Sequence, residues 1–351
     1  MATITRNMRK AIFILGMHRS GTSALARVVN LLGADLGKKL MAAAEDNKKG
    51  FFEHEPIVTI HDRLLNELGS HWSDSTPLPE GWQKTKAAKE AQKKLRAIID
   101  KEFAKSELWA LKDPRQCRLM ELWLPLLKER KIQPHFIIAY RHPQEVAASL
   151  ESRDGMNLEA AYETWLSYTV EAMLSALDYP YSIISYDELM KNWQPAMERV
   201  GKELGLDWPI EMNKAKKEIN SFLSPNLRHH KAAKNDLPKP IAACLKQLQK
   251  PNRKSLEKIQ QAAMERSLPY TDGLREARLE SYQLTQKLEK SQREAARAKH
   301  RLKDVESQYA EFRQVAEQCK NELENVYDSA SWKVTEPLRK VKKLVKQGDK
   351  G

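Results

Sequence analysis

The stretch Ile14-Leu-Gly-Met-His-Arg-Ser-Gly-Thr-Ser23 decides the fold of the N-terminal part of the chain. Gly16 and Gly21 allow backbone N–H groups to turn inward around an anion. Thr22 opens a helix whose N-terminus adds unpaired N–H donors and the positive end of the helix dipole. Arg19 places a cation at the centre of the loop. The stretch predicts an anion-binding strand–loop–helix; the alternative is an ordinary glycine-containing turn.

The segments around this loop alternate between strand and helix patterns. An apolar run at residues 11–15 precedes it and predicts a buried strand. Further strands are predicted at 108–111, 135–140 and 181–186, and helices at 144–150, 158–177 and 188–204. This alternation predicts an α/β fold, a P-loop-like parallel sheet flanked by helices. Ligands of such folds bind at the carboxyl ends of the strands.

The loop departs at one position from the P-loop pattern G-x4-G-K-[ST] of nucleoside-triphosphate enzymes. Where that pattern has its lysine, this sequence has Thr22, and the cation lies earlier, at Arg19. The departure resembles the 5′-phosphosulfate loop of sulfotransferases that use 3′-phosphoadenosine-5′-phosphosulfate (PAPS), in the bacterial carbohydrate-type branch. The resemblance covers about residues 11–231. It implies that PAPS is bound by His18, Arg19, Ser20, Gly21, Thr22 and Ser23.

A second motif, Tyr140-Arg-His-Pro-Gln-Glu-Val-Ala-Ala-Ser149, also follows a predicted strand. An arginine at the carboxyl end of a strand, beside a helix N-terminus, is an anion site. The motif resembles the 3′-phosphate motif of the same family, which implies that Arg141 and Ser149 hold that phosphate. The resemblance also assigns Tyr186 and Arg228 to the nucleotide. For Arg228 the alternative is that the basic run around it is a solvated surface segment.

Sulfuryl transfer needs a base for the acceptor hydroxyl and a cation for the leaving phosphate oxygen. We expect Arg19 to be that cation and Glu53 to be the base. Glu53 follows two phenylalanines, whose desolvating effect raises the pKa of a carboxyl group. The resemblance also favours a glutamate, because the Lys-Thr-His motif of small-molecule sulfotransferases is missing. His54, His18 and Asp113 are alternative bases.

Asp113 belongs to Lys112-Asp-Pro-Arg115, which follows a predicted strand. This segment resembles one that lies beside the cofactor in the family, and the alternative is a structural turn. No group of His, Cys or Asp residues has metal-ligand spacing, and sulfuryl transfer needs no metal, so no metal is predicted.

The C-terminal third carries a heptad pattern. Two series, Leu288 to Leu323 and Leu284 to Val326, repeat every seven residues with offsets of three and four, as in a coiled coil. The helix would span about 60 residues and roughly 90 Å. The sequence therefore predicts a PAPS-binding domain at 1–235, a basic helical linker at 236–273, a coiled coil at 274–335 and a basic tail at 336–351. A helix packed back on the domain, or a hairpin, is the alternative.

After the heptads comes Ser331-Trp-Lys-Val-Thr-Glu-Pro-Leu-Arg339, which resembles the C-terminal segments of bacterial polysaccharide-assembly enzymes. An exposed tryptophan beside a basic amphipathic turn suits an anionic membrane surface. The alternative is a frayed basic terminus.

Composition narrows the class of protein. The 351 residues carry a net charge of +13, which suits a polyanionic partner, an anionic membrane surface or a phosphate-rich cofactor without choosing among them. The chain has three cysteines, far apart. No window is apolar enough to span a membrane, and the N-terminal apolar run is too short for a signal peptide. We therefore expect a cytoplasmic protein, with peripheral contact at the inner face of the membrane as a further expectation.

The predicted activity is transfer of a sulfuryl group from PAPS to a hydroxyl of a saccharide, glycolipid or surface polysaccharide. We expect a homo-oligomer formed through the coiled coil, and no specific nucleic-acid partner. Two alternatives are a small-molecule or nucleoside kinase with an altered P-loop, which would need Mg²⁺, and a non-catalytic coiled-coil scaffold.

Overall fold

A parallel four-stranded sheet forms the centre of the N-terminal unit. The structure is a computed structural model and describes residues 8–44, 47, 49–223 and 236–348. The strands are β1 (Lys10–Leu15), β2 (Leu108–Lys112), β3 (Gln133–Tyr140) and β4 (Tyr181–Ser185). Their order is β2-β1-β3-β4 and every neighbouring pair is parallel. Ile12 fixes the register, because it pairs with Ala110 on one side and His135 on the other.

Helices cover both faces of the sheet. They are α1 (Thr22–Leu31), α2 (Glu55–Glu67), α3 (Lys86–Glu102), α4 (Gln116–Glu129), α5 (Pro143–Asp154), α6 (Leu158–Ala176), α7 (Tyr186–Leu204), α8 (Met212–Phe222) and α9 (Lys239–Gln247). Side chains alternate along β1, so Phe13 packs with α2, α3, α4 and α6, whereas Ile12 and Ile14 pack with α1, α7 and α8. Both faces of the sheet are therefore buried, as its continuous apolar strands require.

The topology places a crevice between β1 and β3, at the point where the direction of the chain connections reverses. The helix after β1 lies on one face of the sheet, and α5, after β3, packs with the cluster on the other face. The two loops therefore separate at adjacent carboxyl ends, which is where open α/β sheets bind ligands.

The predicted α/β architecture is confirmed, and each predicted strand lies within two residues of an observed one. Helices α2, α3 and α4 lie in stretches for which the sequence analysis predicted no element. The predicted helical linker at 236–273 contains α9 and the start of a much longer helix, α10 (Arg253–Asp328), and α8 precedes it.

Helix α10 extends well before the predicted coiled coil. It has 76 residues and continues through Pro269. The compact units of the chain divide after Tyr282, so the predicted boundary at residue 273 lies inside this helix. In the first unit, Arg278 forms an ion pair with the buried carboxylate of Asp74, and Arg275 donates to the carbonyl of Pro77 at 3.3 Å. The first part of α10 thus fixes the loop that follows α2.

The second unit, from Gln283, contains the rest of α10, then α11 (Ala330–Val334) and α12 (Glu336–Gly348). Residues 284–326 form one unbroken helix, which is inconsistent with the predicted alternative of a hairpin in this region. The Ser329 hydroxyl accepts from the N–H of Trp332 at 3.2 Å and caps α11. Among the described helices, none combines the length and apolarity that a bilayer crossing requires.

Candidate active site

Two glycines allow the loop after β1 to fold against its neighbours. Gly16 has a φ of 147°, and a Cβ placed there would lie 2.2 Å from the carbonyl oxygen of Ala139 in β3. Gly21 has a φ of 84°, and its Cβ would lie 2.3 Å from the ring of Tyr186. Gly21 is also the residue before α1 and has no side chain to cap that helix. The first N–H groups of α1 thus lie beside the loop, as an anion site requires.

Arg19 links the two predicted phosphate sites. It has a φ of 68°, a left-handed conformation that costs a non-glycine residue on the order of 1 kcal/mol. Its Nε donates to the hydroxyl of Ser149 in α5 at 2.8 Å. Ser149 is almost fully buried. The loop predicted for the 5′-phosphosulfate and the helix predicted for the 3′-phosphate are therefore in direct contact.

Two polar atoms of the loop fit an anionic ligand. Ser20 Oγ and His18 Nε2 are buried and make no hydrogen bond within the described part of the chain. Buried polar atoms without protein partners are rare and are commonly satisfied by a ligand or water. Burial lowers the pKa of His18 well below its usual value, with help from the nearby charge of Arg115. His18 is thus a neutral group, and its ring packs 4.6 Å from that of Trp72.

Arg141 occupies the predicted position at the end of β3. Its Nε donates to the carboxylate of Glu145 at 2.6 Å, and its guanidinium lies 4.9 Å from the centre of the Tyr186 ring. All three side chains are buried. The Glu145 ion pair and the ring hold the guanidinium in one orientation, and a guanidinium at the end of β3 suits a phosphate in the crevice.

Lys112 is a central site residue to which the sequence analysis gave no role of its own. Its ammonium group donates to Ser23 Oγ at 3.1 Å, to the carbonyl of Phe51 at 3.3 Å, and to the carboxylate of Glu53. The side chain is 3% exposed. Lys112 therefore connects the anion loop to the predicted base. The available signal was its position as the last residue of a buried strand, because carboxyl ends of parallel strands meet at one edge.

Glu53 lies in a strongly charged and dry environment. Burial raises its pKa above the ordinary value of 4.5, an effect that Lys112 opposes and Asp113 reinforces. Arg115 lies 3.9 Å from its second carboxylate oxygen. A rise in the pKa is the direction expected from the sequence. A buried carboxylate with a raised pKa is better suited to accept a proton than an exposed one.

His54, the alternative base next in sequence, points elsewhere. Its Nε2 lies 2.9 Å from the carboxylate of Glu102 in α3, and its ring packs 6.1 Å from Phe103. Because successive side chains of an extended segment diverge, Glu53 and His54 face different parts of the unit. The structure therefore brings Glu53, and not His54, to the group around Lys112.

Asp113 belongs to a buried network. Its carboxylate accepts from Arg115 at 3.0 Å and from His61 Nδ1 at 2.7 Å. The indole N–H of Trp123 donates to His61 Nε2 at 3.0 Å, which leaves the proton on Nδ1. Burial alone would raise the pKa of Asp113, but Arg115 and His61 outweigh it and hold the pKa far below its usual range. A carboxylate so strongly held in its ionised form is a poor base and positions Arg115 instead.

Of the remaining predicted residues, Thr22 and Ser23 lie at the start of α1, and Arg228 lies outside the described residues. Thr22 is buried, and Asn47 donates to Ser23 Oγ at 3.4 Å. Within the described ranges, no cluster of three or more His, Cys, Asp or Glu residues has the arrangement of a metal site.

Comparisons with known proteins give a likeness in structure only. No protein-family model matches the chain, and no curated protein matches it at a significant level. The sulfotransferase domain from the olefin synthase of Synechococcus PCC 7002 matches with 17% identity and a TM-score of 0.39, over 75% of this chain and 97% of that domain. The sulfotransferase domain from the curacin biosynthetic pathway matches with 16% identity and a TM-score of 0.32, over 73% of this chain and 98% of that domain. At these TM-scores, the function must be argued from the site itself.

Proposed function

We propose that the chain is a sulfotransferase that moves a sulfuryl group from PAPS to a hydroxyl of a saccharide, glycolipid or surface polysaccharide. The observation that supports the proposal is the direct hydrogen bond between Arg19 and Ser149, which joins the two predicted anion sites at adjacent strand ends. A donor with phosphate at both ends of one ribose matches two joined sites. A nucleoside triphosphate needs a single continuous phosphate channel and a lysine where this chain has Thr22.

The residues present fit PAPS. The buried Ser20 hydroxyl and the N-terminus of α1 would hold the 5′-phosphosulfate, and Arg141 and Ser149 the 3′-phosphate. Tyr186, beneath Arg141, would border the nucleotide. PAPS supplies an activated sulfuryl group and a phosphate leaving group, and it needs no metal. Arg228 completes the proposal as a cation for the nucleotide.

The catalytic roles follow from the contacts of Lys112. Glu53 would accept the proton of the acceptor hydroxyl. The hydroxyl oxygen would then bond to sulfur while the bond between sulfur and the phosphate oxygen breaks. Arg19 stabilises the negative charge that develops on that phosphate oxygen. Lys112, which contacts both Glu53 and the loop residue Ser23, is placed to stabilise the same charge. Its ammonium also keeps Glu53 oriented before the reaction.

Calorimetric titration tests the choice of nucleotide. We expect adenosine 3′,5′-bisphosphate to bind at least about tenfold more tightly than ATP, because only the bisphosphate occupies both anion sites. Mg²⁺ should not change its affinity. As a control, Arg199→Ala removes an arginine of α7 that pairs with Glu188 and Glu203, and should leave both affinities unchanged. Tighter binding of ATP, strengthened by Mg²⁺, would favour a kinase and contradict the proposal.

The C-terminal tail supports a second, separate proposal of peripheral contact with an anionic membrane, in a cytoplasmic protein. Arg339 lies 3.7 Å from the Trp332 ring centre, and Leu338 and Val341 are exposed on α12. Lys340 lies beside this apolar stripe. Exposed apolar side chains next to lysines are what an amphipathic helix presents to an anionic lipid surface.

Vesicle sedimentation tests the tail. We expect the full chain to bind phosphatidylserine-containing vesicles, and Lys340→Ala with Lys342→Ala to weaken binding by tenfold or more, at about 1 kcal/mol per basic residue. Lys290→Ala with Lys303→Ala, on α10, is the matched control and should have little effect. Equal binding to zwitterionic phosphatidylcholine vesicles, which have no net charge, would show that the contact does not depend on anionic lipid.

A further inference from the structure

The apolar seam of α10 in the second unit is exposed. Five of its large apolar side chains are each between 57% and 77% exposed: Leu284, Leu288, Leu302, Val305 and Phe312. The same seam continues through Leu323 and Val326. Large apolar side chains repeated at heptad spacing along an exposed helix are a surface that another helix covers.

The seam is narrow, which limits how many helices can meet on it. With Leu288 at heptad position a and Leu284 at d, the flanking e positions are polar or charged at Gln292, Lys299, Glu306, Arg313 and Lys320. The g positions from residue 287 to 322 are also polar or charged, except for Val315. A strict a/d stripe suits two helices, whereas larger bundles also bury flanking positions. Small side chains at Ser291, Ala295 and Ala298 allow two backbones to approach closely.

We propose that residues 284–326 form a parallel, in-register, two-stranded coiled coil with a second copy of this chain. This inference does not depend on the proposed enzymatic function. Charge complementarity determines the orientation. In a parallel pair, each g residue meets the e residue five positions on in the other helix. Glu294 then meets Lys299 of the second copy, and Arg301 meets Glu306 of the second copy.

Ion pairs within the helix leave this arrangement intact. Glu289 pairs with Arg293 at 3.3 Å, and His300 pairs with Asp304 at 3.0 Å. These four residues occupy the outer b, c and f positions. The intrahelical pairs therefore stabilise the solvent face, and the e and g charges border the seam.

An antiparallel pair brings like charges together. Side-chain size would favour the register that places Ala298 opposite Ala316 of the second copy. In an antiparallel pair e positions lie near e positions, so this register brings Lys299 near Arg313 and one Glu306 near the other. Like charges across a coiled coil destabilise that pairing, which leaves the parallel arrangement favoured.

Cys319 provides a direct test, because it lies at a d position. A parallel, in-register pair places it beside Cys319 of the second copy. We expect oxidised glutathione to link two chains through Cys319, with loss of two thiol protons and reduction of the oxidant. The product should have twice the mass of the 40.4 kDa chain on a non-reducing gel. Cys117 and Cys244 are internal controls, because both are buried and burial raises the pKa of Cys244 to about 12.

Light scattering on Cys319→Ser completes the test. This variant should lose the covalent link and keep the twofold mass, since the seam itself is intact. A single-chain or threefold mass would overturn the proposal. In Ala295→Cys, mass spectrometry of the linked peptides should find 295–295 and 319–319 links; a 295–319 link would show an antiparallel pair instead.

A charge exchange tests the orientation independently. Glu294→Lys places two lysines together in the parallel pair and should weaken the dimer severalfold. Adding Lys299→Glu restores opposite charges and should restore the dissociation constant. Failure of the second change to rescue the first would contradict the parallel pairing.

Discussion

Replacing Glu53 by glutamine is expected to lower kcat by about 10²- to 10⁴-fold, the contribution of a positioned general base. Glutamine keeps the shape of the side chain and can still accept a hydrogen bond from Lys112, but it cannot take a proton. The affinity for adenosine 3′,5′-bisphosphate should therefore change little. The measurement is release of the bisphosphate from PAPS, with a panel of simple glycosides as acceptors.

The pH dependence of the activity is a second test of Glu53 as the general base. A general base works only when ionised, so activity should rise with pH through the pKa of Glu53 and then level off. Because burial raises that pKa, the acid limb should lie above pH 4.5. Glu53→Gln should remove this limb from whatever activity remains.

Two neighbouring substitutions serve as controls. Glu55→Gln changes an exposed carboxylate in the first turn of α2 and should leave kcat unchanged. His54→Gln removes the contact with Glu102 and should affect stability more than kcat. If His54→Gln abolishes turnover and Glu53→Gln does not, the assignment of the base is wrong.

Arg141→Ala should weaken binding of adenosine 3′,5′-bisphosphate by about 30- to 1000-fold, since truncating one partner of a buried charged hydrogen bond costs roughly 2–4 kcal/mol. Adenosine 5′-phosphosulfate, which has no 3′-phosphate, should lose at most a few-fold. Arg141→Lys keeps the charge without the planar fork and should be intermediate. Calorimetry with the two ligands measures the difference.

The interpretation of Arg141→Ala depends on an intact fold, because Glu145 loses its partner in this variant. Glu145→Gln is the matched check: it breaks the same ion pair and leaves the arginine in place. A parallel loss of affinity for both nucleotides in Arg141→Ala would remove Arg141 from the 3′-phosphate site.

The sheet was predictable because its strands are short apolar runs bounded by glycine, proline or charge. The run at 11–15 is buried on both faces, so its hydrophobicity alone identified β1. Helices α2, α3 and α4 were not predicted. In α3 the core-facing residues Ala88, Ala91, Leu95 and Ile99 have helical spacing, but two of them are alanines and lysines lie between them, so the apolar signal is weak.

The site was predictable as a set of loops but not as a set of contacts. Arg19 and Ser149 were each identified, but the hydrogen bond between them depends on the strand order, which local sequence does not determine. Lys112 and Glu53 are likewise distant in sequence, and they meet because the segment before α2 lies at the carboxyl end of β2. Sequence also cannot decide which of two adjacent residues, Glu53 or His54, faces the crevice.

The contact of Gly21 with Tyr186 has a consequence for how this protein can evolve. A methyl group at position 21 would lie 2.3 Å from a ring that also supports Arg141, so it would disturb both proposed anion sites at once. Tyr186 therefore constrains which residues can replace Gly21, and Gly21 constrains which residues can replace Tyr186. In related sequences, Gly21 and Tyr186 should be kept or replaced together, even where the surrounding loops differ.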